Sequence, residues 1–172
     1  ALQMHSGSDL HVLVGGLGLG YTAWTALESD RVSQCDVIEF LPQVIHWLEQ
    51  GLIPLSDKLN ADHRLNVTQS DVYQRLASPP KQKHDLILID VDHSPDDNLD
   101  EANRIFYTVD GLQRAKLHLE ADGLLGVWSY AESSRFVDAL HEVFREVRIE
   151  PVTVFNNLIN EEQTDWLLFA RD

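Results

Sequence analysis

His11-Val12-Leu13-Val14-Gly15-Gly16-Leu17-Gly18-Leu19-Gly20 is the stretch from which the fold is read. A short apolar, β-branched run passes directly into four glycines within six residues. Apolar runs of this length read as strands buried on both faces. Glycines are required where the chain turns sharply out of such a strand and where a ligand must approach the backbone closely. Beyond Gly20, Thr22–Ser29 has helical spacing, and the start of a helix offers free N–H groups to a polar or anionic ligand. A tight strand-to-helix turn with no ligand is the alternative, and the density of glycines argues against it.

Working outward, the same alternation recurs. Strands are predicted at His11–Gly15, Cys35–Phe40, Leu65–Thr68, Asp85–Val91 and Leu124–Ser129. Helical spacing separates them at Pro42–Gln50, Val72–Ala77 and Gly111–Leu119. Pro42 suits a first helical turn, where its missing N–H costs nothing, and Gly51 suits the stop. A helix at Ser133–Phe144 precedes two more apolar runs, Arg148–Phe155 and Trp166–Ala170, separated by the polar stretch Asn156–Asp165. The order predicts an α/β domain with a doubly wound, mostly parallel, seven-stranded sheet. The last strand is expected to be antiparallel, at or near the sheet edge.

The 172 residues suit one domain, expected over 1–172. A single cysteine, Cys35, excludes an internal disulfide and fits a reducing, cytoplasmic setting. Lying in a strand-like run, it reads as a buried small hydrophobe. Thirteen basic against 28 acidic side chains give a formal charge of −15. That field disfavours nucleic acid and anionic membranes and favours cationic ligands. Seven carboxylates crowd between Asp85 and Glu101: Asp85, Asp90, Asp92, Asp96, Asp97, Asp100 and Glu101. They form either a solvated acidic loop or a cation-binding one. His93 stands among them, but no second His or Cys lies at ligand spacing from it, so no metal is expected. His84 and His118 read as surface residues, and Trp24 and Trp47 as packing residues on helical apolar faces. No G-x-S-x-G elbow accompanies Ser129 or Ser133, which argues against a hydrolase.

The glycines fail the dinucleotide spacing G-x-G-x-x-G, because counting from Gly16 puts Tyr21 at the last position. Gly16, Gly18 and Gly20 instead form G-x-G-x-G, which resembles the loop of adenosylmethionine-dependent enzymes. Glu39 ends the second strand, where a carboxylate can accept both ribose hydroxyls. The alternative for Glu39 is a plain surface acid. Asp71, followed by Val72, either accepts from an adenine amino group or only caps a helix.

With these features in register, residues 11–144 resemble the spermidine synthase (polyamine aminopropyltransferase) branch of the class I methyltransferase fold. Leu86–Asp90 (LILID) with its acidic, proline-containing loop is similar to that family's catalytic strand and loop, and Phe106–Gly123 aligns to its next helix and turn. The resemblance implies S-adenosylmethionine or its decarboxylated form as co-substrate, a small cationic amine as acceptor, and room for a homodimer. It makes Asp90 the catalytic acid, with Asp92, grouped with it as catalytic, and His93 lining the same cleft and holding the amine's positive charge. Trp128, at the end of the fifth strand, is a substrate-contact candidate at the edge where open sheets bind ligands.

The chain departs from that family in three ways. Gly18 stands where the family has an aspartate gripping the donor's amine. Asp90-Val91-Asp92-His93-Ser94-Pro95 differs in spacing from D-S-S/T-D-P. Only ten residues precede the first strand, so the family's N-terminal β-domain is expected to be absent, either because the chain is a fragment or because it works without that lid. Aminopropyl transfer is the leading expectation. Methyl transfer to a small cationic molecule and non-catalytic binding of adenosyl ligands are the rivals.

Overall fold

Each apolar run becomes a strand in the computed structural model, which describes residues 1–91, 95–96, 101–158 and 160–172. The strands are β1 (Leu10–Gly15), β2 (Val32–Glu39), β3 (Leu65–Gln69), β4 (His84–Ile89), β5 (Leu119–Ser129), β6 (Glu146–Asn156) and β7 (Glu161–Arg171). The helices are α1 (Tyr21–Leu27), α2 (Pro42–Glu49), α3 (Ser56–Ala61), α4 (Val72–Ala77), α5 (Glu101–Phe106), α6 (Val109–Lys116) and α7 (Ser134–Val143). One sheet results, in the order β3-β2-β1-β4-β5-β7-β6. Its first five strands pair in parallel, and β7 runs antiparallel between β5 and β6.

Continuous apolarity in the central strands is explained by two cores, one on each face. Leu13, Ile87, Ile89, Leu125 and Val127 point toward α4, α6 and α7, where Leu76, Leu112, Phe136 and Leu140 meet them. Val12, Val14, Cys35, Val37, Leu86 and Leu124 point the other way, toward Ala23 and Ala26 of α1 and Leu48 and Leu59 of α2 and α3. Alternate residues of one strand thus enter opposite cores. Cys35 is fully buried, and burial pushes its thiol up to about 12, so it behaves as a hydrophobe. No helix among the described residues is long and apolar enough to cross a membrane.

Three expectations are corrected. His84 and His118 are buried, not on the surface. His84 opens β4 with its ring against that of His11 on β1, 4.7 Å between centroids, and His118 places Nε2 2.8 Å from the Ser78 carbonyl. Trp47 is 48% exposed, because Val44 and Leu48, four residues apart, take the inward face of α2. The polar stretch Asn156–Asp165 is not a break between two short strands. β6 and β7 continue into it, pairing from Glu146↔Arg171 as far as Asn156↔Glu161. Since β5 meets β7 only over Trp166–Ala170, the outer half of this hairpin projects past the sheet.

Candidate active site

The order reverses between β1 and β4, since the chain winds to β2 and β3 on one side and to β5 on the other. Ligands of open α/β sheets bind outside the carboxyl ends of the strands at such a switch point. Gly16, Gly18, Gly20, Glu39, Asp71, Val72, Asp90 and Trp128 all lie at that edge, at or just beyond the ends of β1 to β5.

The glycine loop is fastened on both sides. Gly16 N–H donates to the Ile38 carbonyl and Asp90 N–H donates to the Gly15 carbonyl, each at 2.8 Å. Gly16 has φ 95°, and a Cβ there would lie 2.1 Å from the Asp90 carbonyl oxygen, so only glycine fits. Gly18, exposed and at φ 51°, is different: a Cβ there would meet nothing within 4 Å. Its backbone borders open space that a ligand can enter. Gly20 caps α1 at φ 84° and packs against Leu59. Tyr21 points outward, 57% exposed, away from the tight seam a dinucleotide loop needs at this place.

Glu39 is buried, which removes the surface-acid alternative. Its Oε2 accepts from Leu17 N–H and its Oε1 from Leu41 N–H, both at 2.8 Å. The carboxylate thereby ties the glycine loop to the chain leaving β2. An ionised carboxylate offers roughly four acceptor sites, so both oxygens retain capacity. Asp71 is the N-cap of α4, with Oδ1 accepting from Tyr73 N–H at 2.8 Å and Gln74 N–H at 3.2 Å. Val72 is buried, with its side chain against Gly15, so any contact to a ligand from this position is left to its backbone.

Asp90 is exposed at the end of β4, and the Thr22 hydroxyl donates to its Oδ2. Thr22 was not singled out in the sequence. Its only signal there is a hydroxyl in the first turn of α1, the helix that the glycine loop brings beside β4. Asp90, Thr22, Tyr21 and Trp128 line a hollow of about 520 Å³. Leu88, Gly126 and Phe169, neighbours across β4, β5 and β7, supply its apolar floor. Asp92 and His93 lie outside the described residues. Asp96 is exposed.

Beside this edge, the hydroxyls of Tyr73 and Tyr107 meet at 2.8 Å within an aromatic cluster that includes Phe106 and Phe136. Burial pushes the Tyr73 phenol well above its usual range. Burial also raises Tyr107, to about 12, with the Tyr73 hydrogen bond opposing.

No protein-family model matches the sequence, and no curated protein matches it. Solved structures do. A spermidine synthase in complex with the transition-state analogue AdoDATO superposes with a TM-score of 0.73 at 18% identity, covering 97% of this chain and 54% of that one. The spermidine synthase of Thermotoga maritima gives 0.71 at 17% identity, with the same coverages. Human methyltransferase-like protein 13, in complex with SAH, gives 0.69 at 18%, covering 99% of this chain and 74% of that one. The chain therefore spans about half the length of the spermidine synthases it matches. These likenesses show the fold, which is the Rossmann-like class I methyltransferase fold expected from the sequence.

Proposed function

We propose that the chain is a transferase that takes an adenosyl sulfonium donor in the β1–β4 crevice and moves its aminopropyl group to a small cationic amine. The observation that carries this reading is Asp90, an exposed carboxylate at the switch point that shares one hollow with Trp128 and Tyr21. Gly16, Gly18 and Gly20 would shape the donor's loop. Glu39 would accept from its ribose, and Asp71 with the Val72 backbone would meet its adenine. Fold neighbours solved in complex with AdoDATO and with SAH support an adenosyl ligand for this fold.

The chemistry asked of Asp90 is modest. An amine arrives as an ammonium and must lose a proton before its nitrogen attacks the carbon beside the sulfonium. The new C–N bond forms as the C–S bond breaks, and the electron pair stays on sulfur as a neutral thioether. Asp90 accepts the proton, directly or through water, and Thr22 fixes the direction of its carboxylate. Asp92 and His93 are proposed to hold the acceptor's remaining positive charge. A formal charge of −15 draws such a substrate in.

Methyl transfer to a cationic molecule is the second reading. Gly18 favours it, because no side chain stands there to grip the amine of a decarboxylated donor. Orientation alone can then supply much of the rate.

Calorimetric titration with adenosylmethionine and with its decarboxylated form separates the two. Preference for the decarboxylated donor by tenfold or more, about 1.4 kcal/mol, supports aminopropyl transfer. Asp90→Asn should then lower turnover on a diamine by about 10²–10⁴-fold with donor affinity kept. Preference for the carboxylated donor moves the assignment to methyl transfer, and binding of neither refutes both.

A further inference from the structure

The opposite end of the sheet carries a group of side chains for which the transferase reading has no use. His11 of β1, Asp36 of β2 and His84 of β4 stand on three adjacent strands, and one ligand atom from each lies within 4.8 Å of the others. His11 Nε2 is 2.8 Å and His84 Nε2 is 3.8 Å from Asp36 Oδ2. A tetrahedral zinc holds imidazole nitrogen and carboxylate oxygen at about 2.0–2.2 Å, which sets neighbouring donors roughly 3.4 Å apart. The two measured separations fall on either side of that value.

We infer that His11, Asp36 and His84 form a zinc site that clasps β2, β1 and β4 at the edge remote from the glycine loop. Gly15 lies four residues beyond His11 on β1, roughly 13 Å along the strand, so the site stands apart from the adenosyl crevice.

His84 is the strongest sign of a ligand. Its side chain is 3% exposed, and Nε2, the nitrogen that faces Asp36, stops 3.8 Å away, beyond hydrogen-bonding distance. A buried polar ring left unpaired is costly, and a cation in front of it removes that cost.

Asp36 is prepared in the complementary way. Gln34 at 3.0 Å and Asn66 at 3.2 Å both take Oδ1. Oδ2, which lies 2.8 Å from His11 Nε2 and accepts from Gln82 Nε2 at 3.2 Å, exchanges those partners for the ion.

On metal entry the His11–Asp36 hydrogen bond is replaced, and an imidazole that ligates through Nε2 carries its proton on Nδ1. Gln82, whose Nε2 lies 3.0 Å from that Nδ1, 2.9 Å from His11 Nε2 and 3.2 Å from Asp36 Oδ2, has to swing out of the ion's place, and can then turn its amide so that Oε1 accepts the proton. An outer partner of this kind usually orients a ligating histidine. Two imidazoles and one carboxylate suit zinc better than magnesium or calcium, and leave a fourth position for water.

The test is titration of the full chain, freed of metal by dialysis, with zinc by calorimetry and with cobalt by visible spectroscopy. The expected result is one equivalent of zinc, the intense visible bands of four-coordinate cobalt, and a zinc-dependent rise in Tm. His11→Gln and Asp36→Asn should each weaken binding at least tenfold and abolish the rise in Tm, whereas His46→Gln, on exposed α2, should not. Should Asp36→Asn fail to fold, His11→Gln decides alone, because His11 is only half-buried. No uptake, six-coordinate cobalt, or uptake unchanged in His11→Gln would overturn the assignment. Donor binding at the crevice is read separately, so either proposal can fail without the other.

Discussion

Gly16 and Gly18 sit two residues apart, share a positive φ, and face opposite constraints. At Gly16 a Cβ would strike the Asp90 carbonyl, so neither loop nor strand end can give way. Gly16→Ala should cost more than about 4 kcal/mol or prevent folding. At Gly18 nothing stands in the way, and only the left-handed backbone penalty of about 1–2 kcal/mol applies. Gly18→Ala should therefore fold, with a modestly lower Tm, and lose affinity for the adenosyl donor in calorimetry. Glycines of both kinds look alike in the sequence. The difference depends on where β4 ends, many residues away. Glu39 and Asp71 were legible as site candidates because strand-end acids have few uses. Thr22 was not, because its partner Asp90 comes from the far side of the switch point.

At the level of elements, the central strands were readable because burial on both faces leaves them no polar alternation to confuse. Element ends were less so. β5 begins at Leu119, five residues before its apolar part, through the polar segment Glu120–Gly123, and β6 and β7 run on through polar residues. There, strand structure rests on ladder pairing and not on side-chain character. α3 and α5 escaped notice because helices of six residues are too short to show a periodicity. α4 is short as well, and the Tyr73–Tyr107 hydroxyl pair helps join it to the chain between α5 and α6. Tyr73→Phe leaves the Tyr107 hydroxyl buried and unpaired, and should cost about 1–3 kcal/mol in urea unfolding. Replacing both tyrosines by Phe should recover much of that loss, since no polar group is then stranded. An equal or larger loss in the double variant would mean that the pair acts through packing alone.

For the molecule as a whole, acid erodes stability for a reason beyond its carboxylates. His118 is fully buried, and burial lowers its affinity for a proton, although Nε2 lies 2.8 Å from the Ser78 carbonyl. With the folded value depressed, the unfolded chain takes up the proton first as pH falls. Stability is then whole above the ordinary histidine range and drains away below it. Tm measured between pH 7 and pH 4.5 should fall less steeply in His118→Gln than in the parent chain; parallel slopes would refute this. The sheet order has a kinetic corollary too. β6 and β7 are joined by a short turn, so their ladder is local and can zip early. The β1–β4 seam instead joins Val12 to Leu86 across two intervening strands of chain, a closure with a far greater entropic cost. The crevice is then among the last features to be assembled. A ligand held there meets no partner in the folding transition state, so it should lengthen the lifetime of the native molecule without hastening its formation.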